Sequence, residues 1–183
     1  MRIHRIARDQ WICAPPREVF EFFSNAANLD AITPEWLGFL ILTPLPLEMR
    51  TGARLEYRLR LAALPVHWRT RISLWDPPRG FVDVQESSPF ALWEHRHRFT
   101  PRDGGVLMHD HVRFALPFGP LGDLAYALAV RSALAAIFDH RYECVRERFP
   151  SESEPGAQAS PERAGYAAGS TGSEGSVEGS ERR

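Results

Sequence analysis

The residues best equipped for chemistry crowd into one short stretch, "WEHRHRF", Trp93 to Phe99. Read as a strand, it alternates its side chains between two faces. Trp93, His95, His97 and Phe99 then share one face, and Glu94, Arg96 and Arg98 the other. Two imidazoles on an aromatic face can orient a ligand's polar end, move a proton near neutral pH, or hold a metal ion. The following stretch, "GGVLMHDHV", supplies a partner. Val106, Met108, Asp110, Val112 and Phe114 alternate there with His109, His111 and Arg113. A hairpin turning through Thr100 to Gly105 sets Phe99 opposite Val106 and His95 opposite Asp110. A two-residue shift brings Asp110 to His97 instead. In either register an inward imidazole meets a carboxylate inside the sheet. A mutually satisfied polar pair in a core accounts for that as well as an active group does.

The elements that must position this face can be read along the chain. "RIHRIARDQWIC" alternates as a first strand. "APPREVFEFFSNAANL" places Pro at a helix start and carries Val19, Phe20, Phe22 and Phe23 on an amphipathic helix. A short second helix near Leu29 to Ile32 ends before Pro34. Strands follow over Phe39 to Leu47 (an edge strand, since Pro44 and Pro46 break it), Ala53 to Leu64, Val66 to Trp75, Phe81 to Ser87, Leu92 to Thr100 and Val106 to Leu116. Leu121, Leu124, Leu128, Leu134, Ile137, Phe138, Val145 and Phe149 recur at helical spacing, with no proline between Pro120 and Phe149. The Ala residues among them suit close packing on another layer. Strand, two short helices, six strands and one long helix predict an α+β domain: a seven-stranded antiparallel meander with helices on one face, not βαβ units.

Alternation also predicts the inner face. Leu55, Tyr57, Leu59 and Leu61 point inward, as do Trp68, Thr70, Ile72 and Leu74. "FVDVQES" is ambiguous, and Phe81, Asp83 and Gln85 are assigned inward. A core built for stability alone rarely buries Tyr57, Thr70, Asp83, Gln85, His95, His97 and Asp110 together, because each needs a partner. An apolar cavity with a few convergent polar groups explains the mixture.

The chain has 183 residues, enough for one ordinary domain with a real core. From Pro150 onward Ser, Glu, Gly and Ala dominate, and Val177 is the only aliphatic residue larger than Ala. Such a segment buries too little apolar surface to offset its ordering entropy, so 1–149 is read as the domain and 150–183 as a disordered tail. No Lys occurs, which excludes lysine Schiff-base chemistry and a P-loop lysine. Cys13 and Cys144 lack metal-ligand spacing and read as reduced packing residues. The first residues show no apolar leader and no apolar run reaches spanning length, so no transmembrane segment and a cytoplasmic location are expected.

"TPEWLGF", "HWRTRISLWDPPRGFVDVQ", "WEHRHRF" with "GGVLMHDHV", and "LPFGPLG" leading into "IFDHR" resemble the START/Bet v 1-like superfamily, nearest to its bacterial polyketide cyclase/dehydrase and lipid-transport group. The resemblance covers about residues 3 to 149. It implies a helix-grip fold, a seven-stranded antiparallel sheet wrapped around a long C-terminal helix and a deep hydrophobic cavity. It carries over no catalytic residue, since the superfamily shares no catalytic motif.

Two functions compete. The first is binding or transport of a hydrophobic small molecule: a lipid, a polyketide or a quinone-like compound. Trp36, Tyr57, Trp68, Trp93, Phe99, Met108 and Phe114 would supply apolar contact. Thr70, Asp83, Gln85, His95, His97 and Asp110 would orient the polar end. The second is a cyclase or dehydratase in which His95 or His97 acts as base or acid, with Asp110 fixing its tautomer. His95 and His97 can both reach one ion with Asp110 as a third ligand, but the spacing alone assigns no metal and no cofactor. Arg58, Arg60, Arg69, Arg71, Arg96, Arg98 and Arg113 line the outer face. Glu56 and Glu94 interrupt them, so a solvated or dimer-forming face is expected rather than a nucleic-acid surface. Phe118 and Leu121 in "LPFGPLG" would suit a cavity gate or a rigid turn.

Overall fold

A computed structural model describes residues 1–61 and 64–151. Its strands are β1 (His4–Ile12), β2 (Leu40–Ile41), β3 (Arg54–Leu61), β4 (Leu64–Asp76), β5 (Gly80–Ser87), β6 (Leu92–Arg102) and β7 (Gly105–Ala115). All neighbours are antiparallel and the order is β1-β7-β6-β5-β4-β3-β2, the expected meander closed by the first strand pairing with the last. After β1 come the helix α1 (Pro16–Ser24) and three single turns of tighter helix. The segment assigned to the tail lies outside the described residues from 152 onward.

Three local features depart from the pattern read in the sequence. The edge strand shrinks from Phe39–Leu47 to Leu40–Ile41. Past Ile41 the chain peels away, as Leu42 and Thr43 both donate to the Glu56 carbonyl, just ahead of the donor-less Pro44 and Pro46. In β4 the register shifts between Ile72 and Leu74. An extra residue there turns Leu74 to solvent and brings Trp75 against the core in its place.

The third concerns the closing helix, which runs without a break from Pro120 to Arg148. Its parts are α2 (Pro120–Ala125), one π-helical turn (Tyr126–Val130) and α3 (Arg131–Arg148). Leu121, Leu124 and Leu128, expected to face the core, are 71%, 55% and 75% exposed. The packed face is instead traced by Gly122, Tyr126, Val130, Leu134, Phe138 and Val145. The wider π turn carries one extra residue and keeps the four-residue spacing through Val130 in phase with α3. By length and composition this helix could cross a membrane, which the sequence reading did not expect; 17% of its apolar window is buried, and Leu134, Phe138 and Val145 pack into the core.

Two apolar clusters fill the domain. Phe20 and Phe23 of α1 meet Phe81, Phe99, Met108 and Val145 at one end. At the other, Phe114, Trp68 and Phe90 meet Leu134 and Phe138. The β4–β5 hairpin is pinned to β6 by a close backbone approach: a Cβ at Gly80 would lie 2.2 Å from the His97 carbonyl oxygen. Gly80→Ala should therefore destabilise the fold by roughly 1–3 kcal/mol in urea unfolding. An unchanged midpoint would contradict this contact.

Candidate functional site

Between the two clusters the sheet and helix leave a cavity of about 300 Å³. Ala129 and Ala133 are part of its helical wall, so these small side chains help keep the layers from filling the space. Phe23, Ile32 and Leu37 come from the segment after β1. Tyr57, Trp68, Thr70, Asp83, Trp93, His95 and His97 come from the sheet, and Phe138 and Arg141 from α3.

The polar side chains gather at one place. In the observed register His97 stands opposite Asp110 and Phe99 opposite Met108, the second of the two alignments considered from sequence. His95 reaches Asp110 diagonally: its Nε2 makes a very short contact with Asp110 Oδ1, while His97 Nδ1 lies 3.4 Å from the same oxygen. Arg141 donates to Asp110 Oδ2 at 3.2 Å. On the other side of the imidazoles lies Asp83. Its Oδ2 is 3.7 Å from His95 Nδ1 and 4.0 Å from His97 Nε2. Its Oδ1 is 3.1 Å from the Thr70 hydroxyl.

The electrostatics follow from this arrangement. Burial alone would raise the Asp110 carboxyl, but His95, His97 and Arg141 together hold it well below the usual carboxylate range. Asp83 has weaker compensation, and burial leaves it raised despite His95, Thr70 and Arg141. Burial, and then the neighbouring His95, push His97 well below its ordinary value, so it is neutral at pH 7. Tyr57 is raised by burial and by Asp83, which keeps its phenol a hydrogen-bond donor.

Of the residues singled out from sequence, Tyr57, Trp68, Thr70, Asp83, Trp93, His95 and His97 line the cavity; Trp36, Gln85, Phe99, Met108, Asp110 and Phe114 do not. Trp36 is 54% exposed, on a single helical turn, and makes no part of the cavity wall. Gln85 instead holds the β5–β6 connection, donating to the Phe90 carbonyl at 2.9 Å. Phe99, Met108 and Phe114 are packed into the two clusters. Asp110 sits behind the histidines, fully buried. Phe118 and Leu121, considered as a gate, are exposed and outside the cavity wall. Arg141 is the functional side chain that alternation could not find, because it lies on the helix.

The chain belongs to the polyketide cyclase / dehydrase and lipid transport family, whose model matches residues 12–137. Solved structures with the same fold include TTHA0849 from Thermus thermophilus, 17% identical, with a TM-score of 0.59 over 79% of this chain and 96% of that one. The Zhui aromatase/cyclase from a Streptomyces species is 16% identical, with a TM-score of 0.59 over 80% and 96%. A START superfamily protein from Mycobacterium smegmatis is 13% identical, with a TM-score of 0.57 over 80% and 97%. No curated protein matches.

Two measurements test the cluster. Asp110→Ala leaves a buried guanidinium and two imidazoles without their carboxylate, and should cost about 3–5 kcal/mol in urea unfolding; a loss under ~1 kcal/mol would contradict the pairing. For His97 the folded value lies below the ordinary 6.5. Below about pH 6.5 the unfolded chain therefore takes up a proton that the folded chain refuses, and stability falls as pH drops. Between pH 7.5 and 5.5 the wild type should lose stability more steeply than His97→Phe, by up to about 1.4 kcal/mol per pH unit. Parallel slopes would refute a neutral buried His97.

Proposed function

We propose that the protein binds a hydrophobic small molecule, of lipid, polyketide or quinone-like type, inside this cavity. One observation carries the reading. Among the described residues the buried side-chain nitrogens without a hydrogen-bond partner are Trp68 Nε1, His97 Nδ1 and Arg141 Nε, and all three residues line the cavity. An unpartnered buried donor costs about 1–3 kcal/mol. His97 Nδ1 is turned toward Asp110 Oδ1, 3.4 Å away, so a ligand oxygen near Trp68 Nε1 and Arg141 Nε would offset the cost at those two, while Tyr57, Trp68, Trp93 and Phe138 give an apolar body flat surface. The volume lies at the lower end of the range for small-molecule sites.

A cyclase or dehydratase is the second reading, favoured by His97, a neutral imidazole in the cavity wall and so in the state a general base requires. Binding is preferred because His95 has a carboxylate beside each ring nitrogen, which leaves it neither to accept a substrate proton nor to donate one freely.

Native mass spectrometry on the freshly purified full chain should show an added mass of a few hundred daltons that denaturation removes. Ala133→Phe, which fills the cavity from the helical side, should abolish that mass and keep the thermal midpoint. A bare wild-type chain that also fails to take up an apolar fluorescent probe would sink the binding reading.

A further inference from the structure

We propose that Asp83, His95 and His97 bind a divalent first-row transition-metal ion at the polar end of the cavity. The inference deepens the cavity reading, because the ion's remaining positions would take an oxygen of the bound molecule.

The geometry supports it at two levels. One ligand atom from each residue lies within 4.8 Å of the others: Asp83 Oδ2, a nitrogen of His95 and a nitrogen of His97. The carboxylate oxygen is 3.7 Å from His95 Nδ1 and 4.0 Å from His97 Nε2. Ligand atoms at ~2.1 Å from a tetrahedral ion stand about 3.4 Å apart. Reaching that separation closes the two carboxylate–imidazole edges by about 0.3 and 0.6 Å through side-chain rotation, and the nitrogen–nitrogen edge starts within 4.8 Å.

The far end of every ligand also has a polar neighbour. His95 Nε2 faces Asp110 Oδ1, and His97 Nδ1 lies 3.4 Å from the same oxygen. Asp83 Oδ1 lies 3.1 Å from the Thr70 hydroxyl. A carboxylate behind a ligating imidazole fixes its tautomer and raises its basicity. Here one carboxylate stands behind both imidazoles, and Arg141 fixes that carboxylate from the helix. Charge agrees with geometry. Ligating imidazoles must be neutral, so the two carboxylates face the single positive charge of Arg141, and a cation completes the balance. Two nitrogens and one oxygen suit zinc, iron(II) or cobalt(II), with coordination positions left open.

A second trio, Asp9, His109 and His111, lies on the outer face. His109 Nδ1 is 2.8 Å from Asp9 Oδ1, and the site is exposed. It serves as the internal control.

The test uses the full chain carrying His109→Gln and His111→Gln, stripped with chelator and titrated with cobalt(II) in visible absorption and with zinc(II) in calorimetry. One ion per chain, with cobalt bands free of thiolate character, is expected. Asp83→Asn or His97→Gln should weaken binding at least ~10-fold, and Thr70→Val by about 10-fold. Near-UV circular dichroism confirms that each variant keeps its fold. Binding no tighter than millimolar, or unaffected by Asp83→Asn and His97→Gln, overturns the metal site. Uptake of anilinonaphthalene sulfonate, an apolar probe, is read in the same samples. Probe uptake without metal binding refutes the metal and leaves the cavity reading standing; metal binding without probe uptake does the reverse.

Discussion

A single carboxylate organises the polar half of this molecule. Asp110 is 1% exposed in the middle of a sheet otherwise packed with aromatic rings. Removing an ion from water costs several kcal/mol, and only close opposite charge and hydrogen bonds repay it. Both oxygens are therefore committed, one to two imidazoles on the neighbouring strand and one to a guanidinium on the helix. These contacts tie β6, β7 and α3 together at one point. They also set how the histidine rings stand, and so which of their atoms face Asp83.

The register that makes this possible rests on two residues. Asp103 and Gly104 have φ of 50° and 76° and form a two-residue turn between Arg102 and Gly105. Positive φ at both positions matches the right-handed twist of a hairpin, and Asp-Gly is its strongest short signal. With that turn in place His97 must stand opposite Asp110. The alternative alignment would centre the two-residue turn on Arg102 and Asp103, with no glycine at either position needing positive φ. Taken only as a turn, "PRDGG" is compatible with both registers; its Asp-Gly pair selects one.

Strand order, the meander and the inward set on β3 and β6 were legible because alternation survives wherever a sheet has one apolar face and one charged face. Alternation fails at Leu74, where an inserted residue reverses the faces and no local composition marks it. It also fails for large apolar residues such as Phe99, Met108 and Phe114, since a core position and a cavity wall look alike until the opposing layer is known. Arg141 was legible in principle. Leu134, Phe138, Arg141 and Val145 repeat at spacings of four, three and four, so an arginine falls in the phase of the buried face. A charge in that phase needs a buried partner, and Asp110 is the matching carboxylate.

The helical wall of the cavity is not uniform. Its C-terminal half is anchored by Phe138, Arg141 and Val145, while Ala129, Val130 and Ala133 follow a stretch whose leucines stand in water. Local opening free energies scale with the apolar contacts that must be broken. The weakest panel of the enclosure is thus the segment around the π turn, hinged on a firmly held remainder.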